Sequence, residues 1–180
     1  TGATFNTGAR FYSLQPHSPG YVLVTETDYA AASCRVLCSI PGCSHDSPDC
    51  PAWFPGTGLE YSLFTAGEDV YLYHSTPALA YDGSWEQYRA EVVEPALEDP
   101  NGHTEEELIR YYRNCYREAV TPACLYRIRE GGMTRETIGL SRQIPNIGLS
   151  WCDGVALYGQ YSAQNGDTEG CRISLADGQV

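Results

Sequence analysis

The chain has 180 residues, with 11 basic against 23 acidic side chains and a formal charge of −12, enough length for one domain with a real core. Every cation is arginine, and no basic stripe is present to release counterions from phosphate, which argues against a nucleic-acid partner. No apolar run approaches the length of a membrane span, and the start at Thr1 leads to the expectation that a leading segment has been removed. Taken in order, the first expected strand is Gly20-Tyr-Val-Leu-Val24, followed by a segment that opens on cysteine, Cys34-Arg-Val-Leu. The same pair recurs as Asp69-Val-Tyr-Leu-Tyr73 with Cys124-Leu-Tyr-Arg-Ile128, and as Gly154-Val-Ala-Leu-Tyr158 with Cys171-Arg-Ile-Ser-Leu175. Turns follow the last two, at Arg129-Glu-Gly-Gly132 and Ala176-Asp-Gly178.

The cysteine starts lie 90 and 47 residues apart. Setting aside residues 84–121 brings the period to about 50, the length of one four-stranded propeller blade. That segment reads as a helical insertion. Ser84 with Gln87 and Thr104 with Glu107 form capping boxes, and Leu108, Tyr112, Cys115 and Ala119 share one helical face. The expected fold is therefore all-β: a partial β-propeller-like array of four-stranded antiparallel blades, with residues 1–180 as a single domain. A plain antiparallel meander is the alternative. Three blades leave open edges, so the array is expected to belong to a longer propeller or to close by oligomerisation.

Between the first two units lies a thirteen-residue knot, Cys38-Ser-Ile-Pro-Gly-Cys43-Ser-His45-Asp-Ser-Pro-Asp-Cys50, followed by Pro51-Ala52-Trp53-Phe54. Pro41-Gly42 and Ser47-Pro48 prevent helix and fold the chain back, and the segment has too little apolar surface to hold its own shape. Cys38, Cys43, His45 and Cys50 supply three sulfurs and one nitrogen, a donor set suited to a structural zinc ion. Cys43 and His45 are separated by one residue, so both reach one ion only if the backbone bends sharply at Gly42. Disulfides are the competing explanation, with His45 then a surface residue.

The knot, with its pattern of Cys, Cys-x-His and Cys-x-Ala followed by an aromatic, resembles a group of large propeller-like lipoproteins and secreted proteins of Gram-positive gut anaerobes, often labelled as domains of unknown function. Strands of the type Val-Tyr-Leu-Tyr and Leu-Tyr-Arg-Ile before a Gly turn add to the likeness. The resemblance implies a propeller fold and an extracellular, cell-surface-anchored location. The tether would be an N-terminal lipid whose cysteine is not in this sequence, and the group has no settled activity to carry over.

The other five cysteines are Cys34, Cys115, Cys124, Cys152 and Cys171. Cys34, Cys124 and Cys171 hold equivalent places in the repeat and read as small apolar residues between sheets, with a Cys152–Cys171 staple as the exception. His17, His74 and His103 lie in unrelated segments and pair with no nucleophile by spacing. No hydrolase elbow, phosphate loop, zinc-protease helix or dinucleotide fingerprint is found. Acidic pairs such as Glu68-Asp69, or Asp46 with Asp49, read as turn residues rather than a glycosidase pair. Tyr61, Tyr71, Tyr73, Tyr81, Tyr88, Tyr111, Tyr112 and Trp85 offer either core or a stacking surface. The expected function is a non-enzymatic extracellular binding or scaffold module for a peptide, protein or glycan. A glycan-active hydrolase with axial carboxylates is one alternative, and a sensor whose knot responds to metal or redox state is another.

Overall fold

A computed structural model describes residues 4–17, 20–75, 81–98, 102–144, 147–163 and 166–180. It is mainly β, with three antiparallel sheets. The first holds β1 (Thr4–Asn6), β2 (Arg10–His17), β3 (Tyr21–Asp28), β4 (Ser33–Val36) and β5 (Trp53–Pro55). The second holds β6 (Tyr61–Ala66), β7 (Asp69–His74), β8 (Cys124–Arg129) and β9 (Thr134–Gly139), and the third β10 (Gly148–Cys152), β11 (Ala156–Ser162) and β12 (Thr168–Ser174). Within each, strands pair in chain order, except that β5 pairs with β3 rather than with β4. The two parts of the sequence repeat are neighbouring strands: β3 with β4, β7 with β8, and β11 with β12.

β4 and β5 use the same edge of β3. β2 occupies the other edge along its whole length, while β4 meets Thr25–Asp28 and β5 meets Tyr21–Leu23. Val24 lies between them. Its carbonyl accepts from Leu37 N–H at 2.8 Å and its N–H donates to Ala52 O at 2.9 Å, so the ladder continues without a gap. The outer strand of this sheet is thus one strand interrupted by residues 38–51, a very large bulge that leaves and re-enters the same register.

The middle sheet is buried on both faces, and its alternation explains why β7 is apolar throughout. Tyr61, Leu63, Val70, Leu72 and Ile128 point to the first sheet and join Tyr12, Val22, Val24, Leu37 and Phe54. Phe64, Tyr71, Tyr73 and Leu125 point the other way, to Leu149, Leu157 and Ile173 of the third sheet. Successive side chains on a strand alternate faces, so one run of apolar residues serves two cores. The first strands lie together, with β6 touching both β1 and β10.

Between β7 and β8 the chain is helical: α1 (Trp85–Tyr88) continues through a π-helical turn (Arg89–Val93) into α2 (Glu94–Leu97), and α3 spans Glu105–Ala119. Both capping boxes form, with Ser84 Oγ accepting from Gln87 N–H and Thr104 Oγ1 from Glu107 N–H. Glu105, Glu106 and Glu107 occupy the first turn of α3 and Arg117 its last, matching the helix dipole. α3 packs on the first sheet at β5. The approach is close enough that a Cβ on Gly20 would lie 2.8 Å from Tyr111 O. Among the described residues no helix is long and apolar enough to cross a membrane.

Candidate metal centre

Three turns shape the knot. Cys43 N–H donates to Ile40 O at 3.3 Å with Gly42 at φ +73°, the type II turn that a Pro-Gly pair favours. Cys50 N–H then reaches Ser47 O, and Trp53 N–H reaches Cys50 O, both at 3.1 Å. His45 itself sits at φ +60°, a left-handed conformation that costs a residue with a Cβ roughly 1–2 kcal/mol. That conformation, together with Gly42, turns the Cys43 and His45 side chains toward the same point. The sequence pointed to Gly42 as the bend; the structure adds His45.

The outcome is a compact donor set. One ligand atom from each of Cys38, Cys43, His45 and Cys50 lies within 4.8 Å of the others, close enough to bind a metal ion. His45 Nδ1 is 3.4 Å from Cys50 Sγ. A tetrahedral ion with bonds of about 2.3 Å to sulfur and about 2.0 Å to nitrogen has N···S edges near 3.5 Å and S···S edges near 3.8 Å, so the measured contact matches a coordination edge. All eight cysteines are free thiols here. A disulfide would use only two of the three knot sulfurs. Burial pushes Cys50 up to about 12; the Ala52 backbone amide opposes that shift, and hydrogen bonds with Cys38 and Cys43 add to it. Without a cation Cys50 therefore keeps its proton, and a bound ion would displace it.

The knot is moored to the second sheet. Ser39 N–H donates to Gly132 O at 3.1 Å and Ser39 Oγ to Gly131 O at 2.7 Å. From β9, Arg135 donates to Pro48 O at 2.9 Å and to Trp53 O, with its guanidinium 4.8 Å over the Phe54 ring. Burial holds the Arg135 pKa below the ordinary arginine value. Sequence reasoning missed Ser39, Gly131, Gly132 and Arg135. The Gly-Gly pair after β8 was a visible turn signal, but nothing in a strand arginine announces a partner more than eighty residues away.

The remaining cysteines serve no common site. Cys124 is buried at the start of β8, but Cys34 is exposed on the short outer strand β4 rather than packed between sheets. Cys152 lies opposite Leu157 and Cys171 opposite Gly159, on the two flanks of β11. Two strand spacings of about 4.8 Å separate them, beyond the roughly 7 Å limit for a disulfide. Asp69 is held by Arg127 at 2.7 Å. Tyr61, Tyr71 and Tyr73 belong to the cores, whereas Tyr81, Trp85, Tyr88, Tyr111 and Tyr112 are partly buried around the helices.

A cleft of about 470 Å³ opens where β1, β6 and β10 converge, lined in part by Phe5, Asn6, Ser62, Phe64 and Trp151. Trp151 is 61% exposed and stacks on Tyr158 at 5.1 Å. A bulge in edge strand β10, between Leu149 and Trp151, puts Trp151 on the Tyr158 face of the third sheet, opposite to Leu149 and Leu157. No protein-family model matches this chain, nor does any curated protein or solved structure with which it was compared.

Proposed function

We propose that the chain is a non-catalytic extracellular scaffold of propeller-type blades, the first held by one structural zinc ion on Cys38, Cys43, His45 and Cys50. The observation that carries this reading is the convergence of four donor atoms within 4.8 Å at the neck of an excursion that leaves and rejoins one β edge. Four protein ligands fill a tetrahedral shell, so no position remains for a reactive water, and the ion's work is to hold the loop. Closing a loop of this length costs about 2 kcal/mol from its length dependence alone, which coordination in the folded state offsets.

The blade reading is supported by the order of strands within each sheet and by the contacts of β6 with both β1 and β10, the first strands of the three sheets. Counting β4 and β5 as one interrupted strand gives the first sheet the four-stranded form of the second. The cleft at the first strands is the binding surface of the scaffold, for a peptide, protein or glycan. Its lining offers hydroxyl, amide and aromatic groups and, among the described residues, no carboxylate, which leaves the hydrolase alternative without its acid pair there. Cell-surface location through a lipid anchor belongs to the same proposal and rests on the resemblance of the knot and the strands.

Elemental analysis with a thiol count on denatured, unreduced protein tests the centre. The expected result is one equivalent of zinc, and Cys38, Cys43 and Cys50 open to alkylation once the ion is chelated. Less than one equivalent, with those three cysteines unreactive until reductant is added, would mean that disulfides hold the loop. Turnover of polysaccharides or chromogenic glycosides would overturn the non-catalytic reading.

A further inference from the structure

Three arginines of the sheets have carboxylate partners. Arg10 and Arg35 share Glu26 at 3.3 and 3.1 Å, and Arg127 lies between Asp69 and Glu136. Arg135 differs. It is partly buried, among the described residues its guanidinium donates only to the carbonyls of Pro48 and Trp53, and its planar head lies over Phe54 and Tyr126 at 4.8 and 5.8 Å. Among the described residues no carboxylate is in ion-pair range of it. A cation withdrawn from water without an anion is costly, and the unmatched charge sits where both of its carbonyl contacts flank Cys50. One divalent ion with three thiolates and a neutral imidazole carries one negative charge.

We infer that Arg135 is the counter-charge of the metal centre: a positioning residue that holds the Pro48–Trp53 turn and stabilises the anionic tris-thiolate site from β9. The inference rests on the proposed zinc site. It makes the centre a junction between sheets, because the ligands extend from the first sheet and the balancing charge comes from the second. It also explains why the guanidinium fork suits the position, since its two arms reach carbonyls on opposite sides of Cys50 while the charge stays fixed between them.

Zinc affinity measured by competition with a chromophoric chelator tests this on wild type, Arg135→Lys, Arg135→Gln, Arg135→Met and Ser39→Ala. Removing the charge in Arg135→Gln or Arg135→Met is expected to weaken zinc binding by about 10- to 100-fold, the usual effect of losing a group that supports metal ligands. Arg135→Lys, which keeps the charge, recovers most of that loss. Ser39→Ala, which removes an uncharged mooring of the same loop, stays within a few-fold of wild type. Charge-removing variants that bind zinc as tightly as wild type overturn the inference alone, as does a loss in Arg135→Lys or Ser39→Ala equal to theirs. Wild-type protein that takes up no zinc overturns the metal site and this inference with it. Arg135→Met keeps an apolar stem against Phe54, so the charge is still tested if Arg135→Gln does not fold.

Discussion

His74 Nε2 lies 3.3 Å from Glu118 Oε1, a contact that joins the end of β7 to the last turns of α3. The other ring nitrogen, Nδ1, faces Pro122 O at 3.4 Å. A carboxylate and a carbonyl only accept, so both nitrogens donate and the ring is the imidazolium. Burial by itself pushes the His74 pKa down, but hydrogen bonds and charge from Cys124 and Glu118 outweigh it and hold it at about 9. Tyr61, with its ring centre 5.0 Å away, is a further titratable neighbour.

A folded pKa above the unfolded value of about 6.5 stabilises the fold fully below pH 6.5, and that stabilisation is lost as pH rises through about 9. The His74 contribution is on the order of 3 kcal/mol at most. Thermal melts of wild type and Glu118→Gln across pH 6–10 check it. Wild type is expected to lose stability over this window and the variant to start lower and lose less; parallel curves would show that the pair contributes nothing.

Gly132, at φ +100°, has no room for a side chain, because a Cβ would lie 2.5 Å from Leu37 O and 2.8 Å from Cys38 Cα. Gly131, at φ +64°, has nothing nearer than 3.9 Å. Gly131→Ala is therefore expected to cost about 1 kcal/mol from conformation alone, and Gly132→Ala at least twice that, since the backbone entering the knot must move. Urea titrations of the two variants measure the difference, and equal losses would mean that the close approach carries no weight.

Phe54 is fully buried and meets Tyr61 and Tyr126 edge-on at 5.5 and 5.0 Å. Trp151 has 61% of its surface exposed. Phe54→Ala is expected to cost about 3–5 kcal/mol. Trp151→Ala should cost about 1 kcal/mol, the value of its stack on Tyr158. If the cleft binds ligand, Trp151 fluorescence responds to it and the response disappears in Trp151→Ala. A loss of stability in Trp151→Ala as large as in Phe54→Ala would assign Trp151 to the core instead.

Local signals explain what was legible in the sequence. The capping boxes at Ser84 and Thr104 depend on residues three apart, and the donor set of the knot lies within thirteen positions, so both could be read directly. β2 carries Pro16, a residue type that argues against a strand, and was not among the expected strands. In the fold Pro16 lies beyond the end of β1, on an edge that needs no N–H from it. The bulge that exposes Trp151, the shared edge of β4 and β5, and the Arg135 contacts all depend on pairings between distant segments. Periodicity within one strand carries no information about those.

The interrupted strand gives the sharpest consequence of metal removal. Leu37 N–H and Val24 N–H donate across the two sides of the excursion, to Val24 O and Ala52 O, so both hydrogen bonds require the neck to be closed. Cys38 follows Leu37 directly and Cys50 precedes Ala52 by two residues, which puts two of the proposed metal ligands at that neck. Removing the proposed ion is expected to free the loop and raise the entropy gained on opening it, while β11–β12 pairing in the third sheet does not pass through the knot. Hydrogen exchange with and without chelator is expected to show Val24, Leu37 and Trp53 losing protection by tenfold or more. Leu157 and Ile173 should be nearly unchanged, because opening is local when the stabilising contacts are local. Uniform loss across all three sheets would mean that the ion sets global stability, and no loss at Val24 and Leu37 would mean that the strand holds its register without it.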